Sequence, residues 1–569
     1  MSKFTRMSGL KRLGTVAVAG VLLMATVLTG CGTQNNGTQP QNNTAAVGKP
    51  QMGGTYLTYW KDDPKSLDPV QCGDVETYDF LETMFDGLLT WDQSGKKIIP
   101  DLAEAMPTVS NNGTTYTFKL RQGVTFTNGD PLTADDVVYT FNRLAAHATA
   151  SVGASYYTMI KGFNEMQAGH AKTLAGVKAV DKYTVQFDLT QANRTFADVI
   201  AMPFAYIVDK KVVSALANPY SSADFSKDPV GTGPFKFVEW KKGQIVKVVR
   251  NDHYFMKDQY GQQLPYLAGI TWKLGFDDPV AFMKFKDKQL DFSRIPTSDF
   301  VSTINNPAMK PDIRTLVAND LWYFYVNNAD PPFNKPLVRQ ALEYAINKQD
   351  VLKTVNNRGV AANEILPPNM PGYKANPAGY KYDLAKAKKL LAEAGYPKGL
   401  PGTYDLIYVK AAANDPIVAN LQAQLKQVGM NVQLRGLPFP QYLNTIQTGK
   451  AVVSYGGWVQ DYPDPDDFLD ILFNSAGIPS QNNWEYKNAT VDKLLNEAVQ
   501  NPNLDQVIPT YHKIEKQIME DAAMVPIYHS KVYRVVQPWV ENANLHPVYC
   551  YFDYTHLWIN QKAEKAAKG

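Results

Sequence analysis

The sequence predicts a mixed α/β protein of two to four domains, on three observations. Its 569 residues exceed what one core organises, at roughly 100–200 residues per domain. Hydrophobic residues at 44% and charged residues at 20% are the balance of a globular chain able to bury sizeable cores. Strand-like and helix-like segments alternate along the chain, which separates it from helical bundles and β-sandwiches.

The first thirty residues read as an export leader. Lys3, Arg6, Lys11 and Arg12 precede eighteen uncharged residues, 13–30, rich in Val, Leu and Ala, the order of a signal peptide's basic and apolar regions. A membrane span of that length is the plainer alternative, and the ending decides against it: Leu28-Thr29-Gly30-Cys31 resembles the lipobox of bacterial lipoproteins, which implies cleavage before Cys31 and lipidation of its thiol. Residues 32–50 are mostly Asn, Gln, Thr, Gly and Pro, with Lys49 the single charge and Val47 the single large aliphatic residue, too polar to fold. They read as part of a flexible tether over 31–51, with a reach of roughly 25 Å, and a diacyl group on Cys31 supplies the two chains that stable anchoring needs. Removing the four leader cations turns the formal charge of +3 into −1, so binding to nucleic acid has no electrostatic motive.

Beyond the tether, residues 114–121 alternate as a strand before a Gln122-Gly123 turn. Thr133-Ala134-Asp135-Asp136 has capping-box form ahead of Val137, Val138, Phe141 and Leu144 at helical spacing. Residues 336–347 form a helix with Pro336 in its first turn, and Asp383 caps another over 384–394 that Gly395 ends. Cys72 and Cys550 are buried thiols by default, with a disulfide the alternative in an exported chain.

Catalytic and metal motifs are missing. The seven histidines, His147, His170, His253, His512, His529, His546 and His556, include no pair at metal-site spacing, and no HExxH, CxxC, GxSxG or phosphate loop occurs. A triad assembled only in space stays open. The segment that carries chemistry is 458–468, Trp-Val-Gln-Asp-Tyr-Pro-Asp-Pro-Asp-Asp-Phe. Asp461, Asp464, Asp466 and Asp467 lie among aromatics, and two prolines exclude a regular helix through it. A carboxylate beside an indole suits an ammonium ligand; a solvated acidic turn is the bland alternative.

From about residue 53 to 558, several separate motif stretches follow one another in a set order. They are Ser66-Leu67-Asp68-Pro69, Met84-Phe85-Asp86-Gly87-Leu88-Leu89, Pro100-Asp101-Leu102-Ala103-Glu104, Tyr116-Thr117-Phe118-Lys119-Leu120-Arg121, Gly129-Asp130-Pro131-Leu132-Thr133-Ala134-Asp135-Asp136-Val137, Val230-Gly231-Thr232-Gly233-Pro234-Phe235, Arg250-Asn251 with Tyr254, Val338-Arg339-Gln340-Ala341 and Ala394-Gly395-Tyr396. Through these stretches the chain resembles, over most of its length, the solute-binding proteins of the oligopeptide and dipeptide class that serve ABC importers.

The resemblance implies a bilobal, periplasmic-binding-protein-like Venus-flytrap fold with an extra third domain: lobe I from 52–84, 226–315 and 535–560, the extra domain from 85–225, and lobe II from 316–534. It puts Cys72 and Cys550 in one lobe, compatible with a bridge. It implies that Asp461 takes a peptide α-ammonium, that Trp458 walls the pocket with Tyr462 beside it, and that Val459, Gln460 and Asp461 face Gly73, Asp74 and Val75 as strand-like receptors of peptide backbone. Gln460 stands where relatives carry a small residue, so it narrows or rewires the first side-chain pocket. Lys410 is a candidate for the peptide carboxylate, and equally a solvated lysine. The expected protein is a monomeric, lipid-anchored receptor on the outer face of a bacterial membrane that hands short peptides to permease subunits, with no cofactor, metal or catalytic residue. A nickel chelate, haem, sugar or glutathione as cargo, a pheromone sensor, and an exported hydrolase are the rivals.

Overall fold

A computed structural model describes residues 49–375, 379–411, 413–548 and 551–569. Cys31, the leader, nearly all of the polar tether and Cys550 lie outside them, while Cys72 is a buried free thiol.

Alternation along the strands sets the layers. In Asp320–Val326, Leu321, Tyr323 and Tyr325 join one buried cluster, and Phe324 and Val326 join another. Successive side chains point to opposite faces, so this strand is covered on both sides. It lies inside an eight-stranded sheet whose main order is Phe292–Arg294, Val525–Val536, Asp320–Val326, Val453–Val459, Thr403–Val409, Asn431–Leu437. Helices Pro336–Ala345, Leu384–Glu393 and Asp415–Gln427 cover one face; Pro465–Phe473, Ala489–Gln500 and Leu504–Glu520 cover the other.

Val525–Val536 is twelve residues long and serves two groups of strands. Its first half pairs with Asp320–Val326, and its second half with Ile313–Val317 and Phe292–Arg294. Two adjacent antiparallel runs, 313–326 and 525–536, therefore lead from the large sheet toward a four-stranded one. That sheet has the order Thr55–Trp60, Gly269–Leu274, Ile245–Arg250, Phe235–Lys241, parallel only in its first pair. A separate antiparallel sheet, Thr108–Ser110, Thr115–Lys119, Thr184–Asp188, Val177–Asp181, is built wholly from residues between 100 and 200.

The expected elements form with small shifts. The first strand is Thr115–Lys119. Helix Ala134–Ala145 begins after Thr133, whose amide donates to Asp136 Oδ2 at 2.9 Å. Helix Pro336–Ala345 stops two residues before the expected end, and Asp383 caps Leu384–Glu393 by accepting from Lys386 N at 2.9 Å. Gly395 follows at φ +97°, a conformation that ends helices and that glycine adopts without strain.

Candidate functional site

Residues 458–468 hold three local structures. Strand Val453–Val459 runs through Trp458, residues 460–464 turn, and helix Pro465–Phe473 begins inside the segment. The expectation that its prolines exclude a helix is corrected at Pro465: it occupies the first helical position, where no amide partner is needed. Asp464 is the N-cap, accepting from Asp466 N at 2.9 Å, and Asp466 and Asp467 complement the helix dipole in the first turn.

Among the described residues, one edge of the strand is unpaired beyond Ser454. Its neighbour Asp320–Val326 pairs along all of it, but Thr403–Val409 pairs only through Val453 and Ser454. Gln460 N donates back to Asn319 O at 2.9 Å, so by alternation Gly457 and Val459 turn their main-chain groups away from that neighbour. A Cβ at Gly457 would stand 2.9 Å from the Trp322 ring, which keeps this end of the strand bare. An unpaired strand edge accepts an extended chain through main-chain hydrogen bonds.

The acidic pole lies next to that edge. Asp461 is half-buried, and its Oδ2 accepts from the Tyr156 phenol. Burial raises Asp461 to about 6 despite that hydrogen bond, which lowers it. Burial, then the charge of Asp461, raises Tyr156. Asp467 is fully buried: its Oδ2 accepts from the Trp458 indole and from Asp461 N, both at 3.2 Å, while its Oδ1 has no hydrogen-bond partner among the described residues. Burial, then the Asp461 charge, pushes Asp467 well above the carboxylate range. Two carboxylates thus meet at one point, and a desolvated cation is what such a pole favours.

The other expected residues divide. Val459 is exposed at the strand end, and Tyr462 is buried with its hydroxyl 3.4 Å from Asp466 Oδ2. Gln460 is buried: Asn319 Nδ2 donates to its Oε1 at 2.8 Å, and its Nε2 donates to Pro547 O at 3.3 Å. It joins the turn to the 313–326 crossing run through Asn319. Gly73-Asp74-Val75 leads into a helix, with Asp74 extended at φ −157° and ψ 158° and Val75 the first helical residue. Asp74 caps Val75–Met84 by accepting from Thr77 N at 2.8 Å and pairs with Lys65 at 3.0 Å, and Gly73 N donates to Gln71 O. Gly73 does line a cavity of about 1120 Å³, together with Val152, Phe237, Trp240, Phe439 and Leu443, the last two from the helix Phe439–Gln447. Lys410 is exposed and pairs with Asp415 at 2.7 Å.

Sequence reasoning missed Tyr156 and Arg194. Tyr156 lies in the short helix Ala154–Tyr157, 305 positions from Asp461. Arg194 forks onto Asp464, with Nη2 to Oδ1 at 2.9 Å, and the same Nη2 donates to the Tyr511 hydroxyl at 2.6 Å. Against the lowering effect of burial, the Asp464 carboxylate holds Arg194 above its usual range. No local pattern announces either residue, because both act at long range. Among the described residues, no group of three or more His, Cys, Asp or Glu is arranged to hold a metal ion.

Comparison with known proteins gives a consistent result. A di/tripeptide-binding protein of Pseudomonas aeruginosa is 28% identical over 498 residues, covering 85% of this chain and 90% of its own. The heme-binding protein A of Haemophilus influenzae is 26% identical, covering 94% and 96%. The periplasmic binding protein DppA of Helicobacter pylori, solved in complex with the peptide STSA, superposes with a TM-score of 0.73 at 25% identity, over 90% of this chain and 98% of that one. The model of the bacterial extracellular solute-binding proteins, family 5 Middle, matches residues 97–480. The ordered motifs, the two-way crossing strands and these likenesses agree that the chain belongs to the bacterial extracellular solute-binding proteins of family 5, with their bilobal α/β fold.

Proposed function

We propose that this chain is the substrate-binding receptor of an ABC importer, capturing short peptides in the cleft and delivering them to membrane permease subunits. The observation that carries the reading is the pairing of a free strand edge at Gly457 and Val459 with a carboxylate, Asp461, at its end. The edge suits an extended main chain whatever its side chains, and the acid suits a free α-ammonium. Gly73, proposed to face that edge, lines a cavity of about 1120 Å³. Binding the ligand to both lobes makes closure depend on it, since a ligand equally bound to open and closed forms shifts nothing. The receptor acts as a monomer and makes or breaks no bond in its cargo.

The division into lobe I (52–84, 226–315, 535–560), an extra domain (85–225) and lobe II (316–534) is supported by the sheets: the two four-stranded sheets draw on the first two groups, and strands 313–326 and 525–536 cross between groups. We extend the proposal to the cell surface. A lipid on Cys31, carried by the polar tether, holds the body outside the membrane.

Native mass spectrometry of the purified mature chain tests the cargo. A ladder of peptide masses released on unfolding supports the reading; a single haem, chelate or sugar mass replaces it. The anchor is tested by Cys31→Ser, which should move the protein from the membrane fraction to the medium.

A further inference from the structure

The turn that presents Arg194 is fixed on its own side. Asn193 Oδ1 accepts from Thr195 N at 2.9 Å and from Thr195 Oγ1 at 2.8 Å, and Asn193 O accepts from the Tyr116 hydroxyl at 3.1 Å. Tyr116 belongs to the Thr115–Lys119 sheet. From this base the chain reaches the large-sheet side twice: Arg194 N donates to Val499 O at 2.7 Å, and the guanidinium forks onto Asp464. Both partners of that fork are almost completely buried, with side-chain exposures of 5% and 3%.

Asp464 is not an isolated acid. Its Oδ1 also accepts from Asp466 N, which starts helix Pro465–Phe473. Three positions on, Asp467 takes the Trp458 indole and the Asp461 amide on one oxygen. The guanidinium is therefore linked, through one helix entry, to the carboxylate that would receive the ligand.

The surroundings of this contact are one-sidedly acidic. Asp198, from the Arg194 side, and Asp466 are buried with Asp464, and Tyr462 and Tyr511 point their hydroxyls at Asp466 from 3.4 and 3.3 Å. Burial first, then the charges of neighbouring carboxylates, pushes Asp198 and Asp466 well above the usual carboxylate range. A seam of this kind closes only around a cation. A planar guanidinium that satisfies a carboxylate through two parallel bonds suits the role better than a lysine point charge.

We propose that Arg194 is a positioning residue for ligand capture: by gripping Asp464 across the seam between the 85–225 and 316–534 segments, it makes closure of the cleft and the aiming of Asp461 a single event. The pair forms when the seam closes and parts when it opens, so it slows ligand escape more than it speeds entry, as interface contacts generally do. This rests on the receptor reading above, and the test separates the two.

The experiment compares the mature chain with its Arg194→Gln, Arg194→Lys and Asp464→Asn variants. Association and dissociation rates are measured with a trialanine-to-pentaalanine series, and small-angle X-ray scattering is recorded with and without peptide. Asparagine caps a helix about as well as aspartate, so Asp464→Asn removes the charge and leaves the helix entry. The expected result is a dissociation rate at least tenfold higher in Arg194→Gln and in Asp464→Asn, association within about threefold of the wild type, an intermediate effect in Arg194→Lys, and a more expanded scattering profile in the first two. Unchanged dissociation and scattering in those two variants, with only a lower melting temperature, overturns the proposal and leaves Arg194 a structural residue. If the wild type ignores every peptide in the series, the receptor reading fails on its own. Scattering of the peptide-free proteins then decides Arg194: expansion in Arg194→Gln supports the latch, and an identical profile rejects it.

Discussion

Tyr156 and Asp461 are 305 positions apart in the chain, yet the phenol of one donates to the carboxylate of the other. The tyrosine comes from the short helix Ala154–Tyr157 and the acid from the turn after strand Val453–Val459. The hydrogen bond occupies Oδ2 with a neutral donor. It gives the half-buried carboxylate partial compensation and leaves its charge for a cationic guest.

Replacing Asp461 by asparagine keeps its size and removes that charge. Charge-assisted hydrogen bonds contribute about 1.5–3 kcal/mol, so peptide affinity should fall tenfold or more. Isothermal titration with a short peptide measures this, and acetylating the peptide's α-amine should cost the wild type a similar factor while costing the variant little. An unchanged affinity in Asp461→Asn removes this residue from the site.

Binding should also be pH-dependent, with a calculable sign. Burial raises Asp461 to about 6 in the ligand-free protein, whereas a bound ammonium favours the ionised form. Capture below pH 6 therefore has to displace a proton. Affinity is expected to be flat above about pH 7 and to fall by up to about tenfold per unit below 6. The Tyr156 hydrogen bond lowers Asp461, so Tyr156→Phe should move the midpoint upward. A pH titration of the binding constant in both proteins checks the direction.

Much of this architecture is legible in sequence because it is written locally. Asp383, Gly395 and Pro336 announce helix ends through capping and backbone restriction, and the helices fall where they predict. Asp461 stands out because Trp458 and three more acids lie within a few residues of it. The parts that were not legible are relations at a distance. Pro465 reads as a breaker until the strand before it fixes where a helix starts, and nothing near Gln460 in sequence announces the Asn319 contact that reaches it from 141 positions away. Arg194 is one arginine among many until the fold sets it on Asp464.

Gln460 gives a test of that distinction. Its side chain links Asn319 to the Pro547 carbonyl, and Asn319 Oδ1 already lacks a hydrogen-bond partner among the described residues. Gln460→Ala leaves the buried Asn319 amide unmatched, which should cost about 1–3 kcal/mol of stability. Relative affinities across peptides that differ only in their first side chain should stay within about twofold. Denaturant melts and titration together measure the two effects; a large selectivity change with intact stability would return Gln460 to the pocket.

Stability itself should respond to pH through Glu515. This glutamate is buried in helix Leu504–Glu520, and its Oε1 accepts from Ile365 N and Leu366 N, both at 2.9 Å. Burial, opposed by those two amides and reinforced by the charge of Glu364, raises it from 4.5 to about 7. The folded chain therefore holds this proton more tightly than the unfolded one does. Its contribution to stability is complete below about pH 4.5 and is lost as pH rises through 7, a change of about 3 kcal/mol. Glutamine keeps an oxygen for both amides and has no proton to lose. Melting curves at pH 5 and pH 8 should show the wild type losing more stability than Glu515→Gln across that interval, by about that amount. Because Asp291, Asp320 and Glu343 are also raised, to about 6, the informative quantity is the difference between the two proteins. Equal losses in both would mean that Glu515 is already ionised at neutral pH, with water reaching its second oxygen.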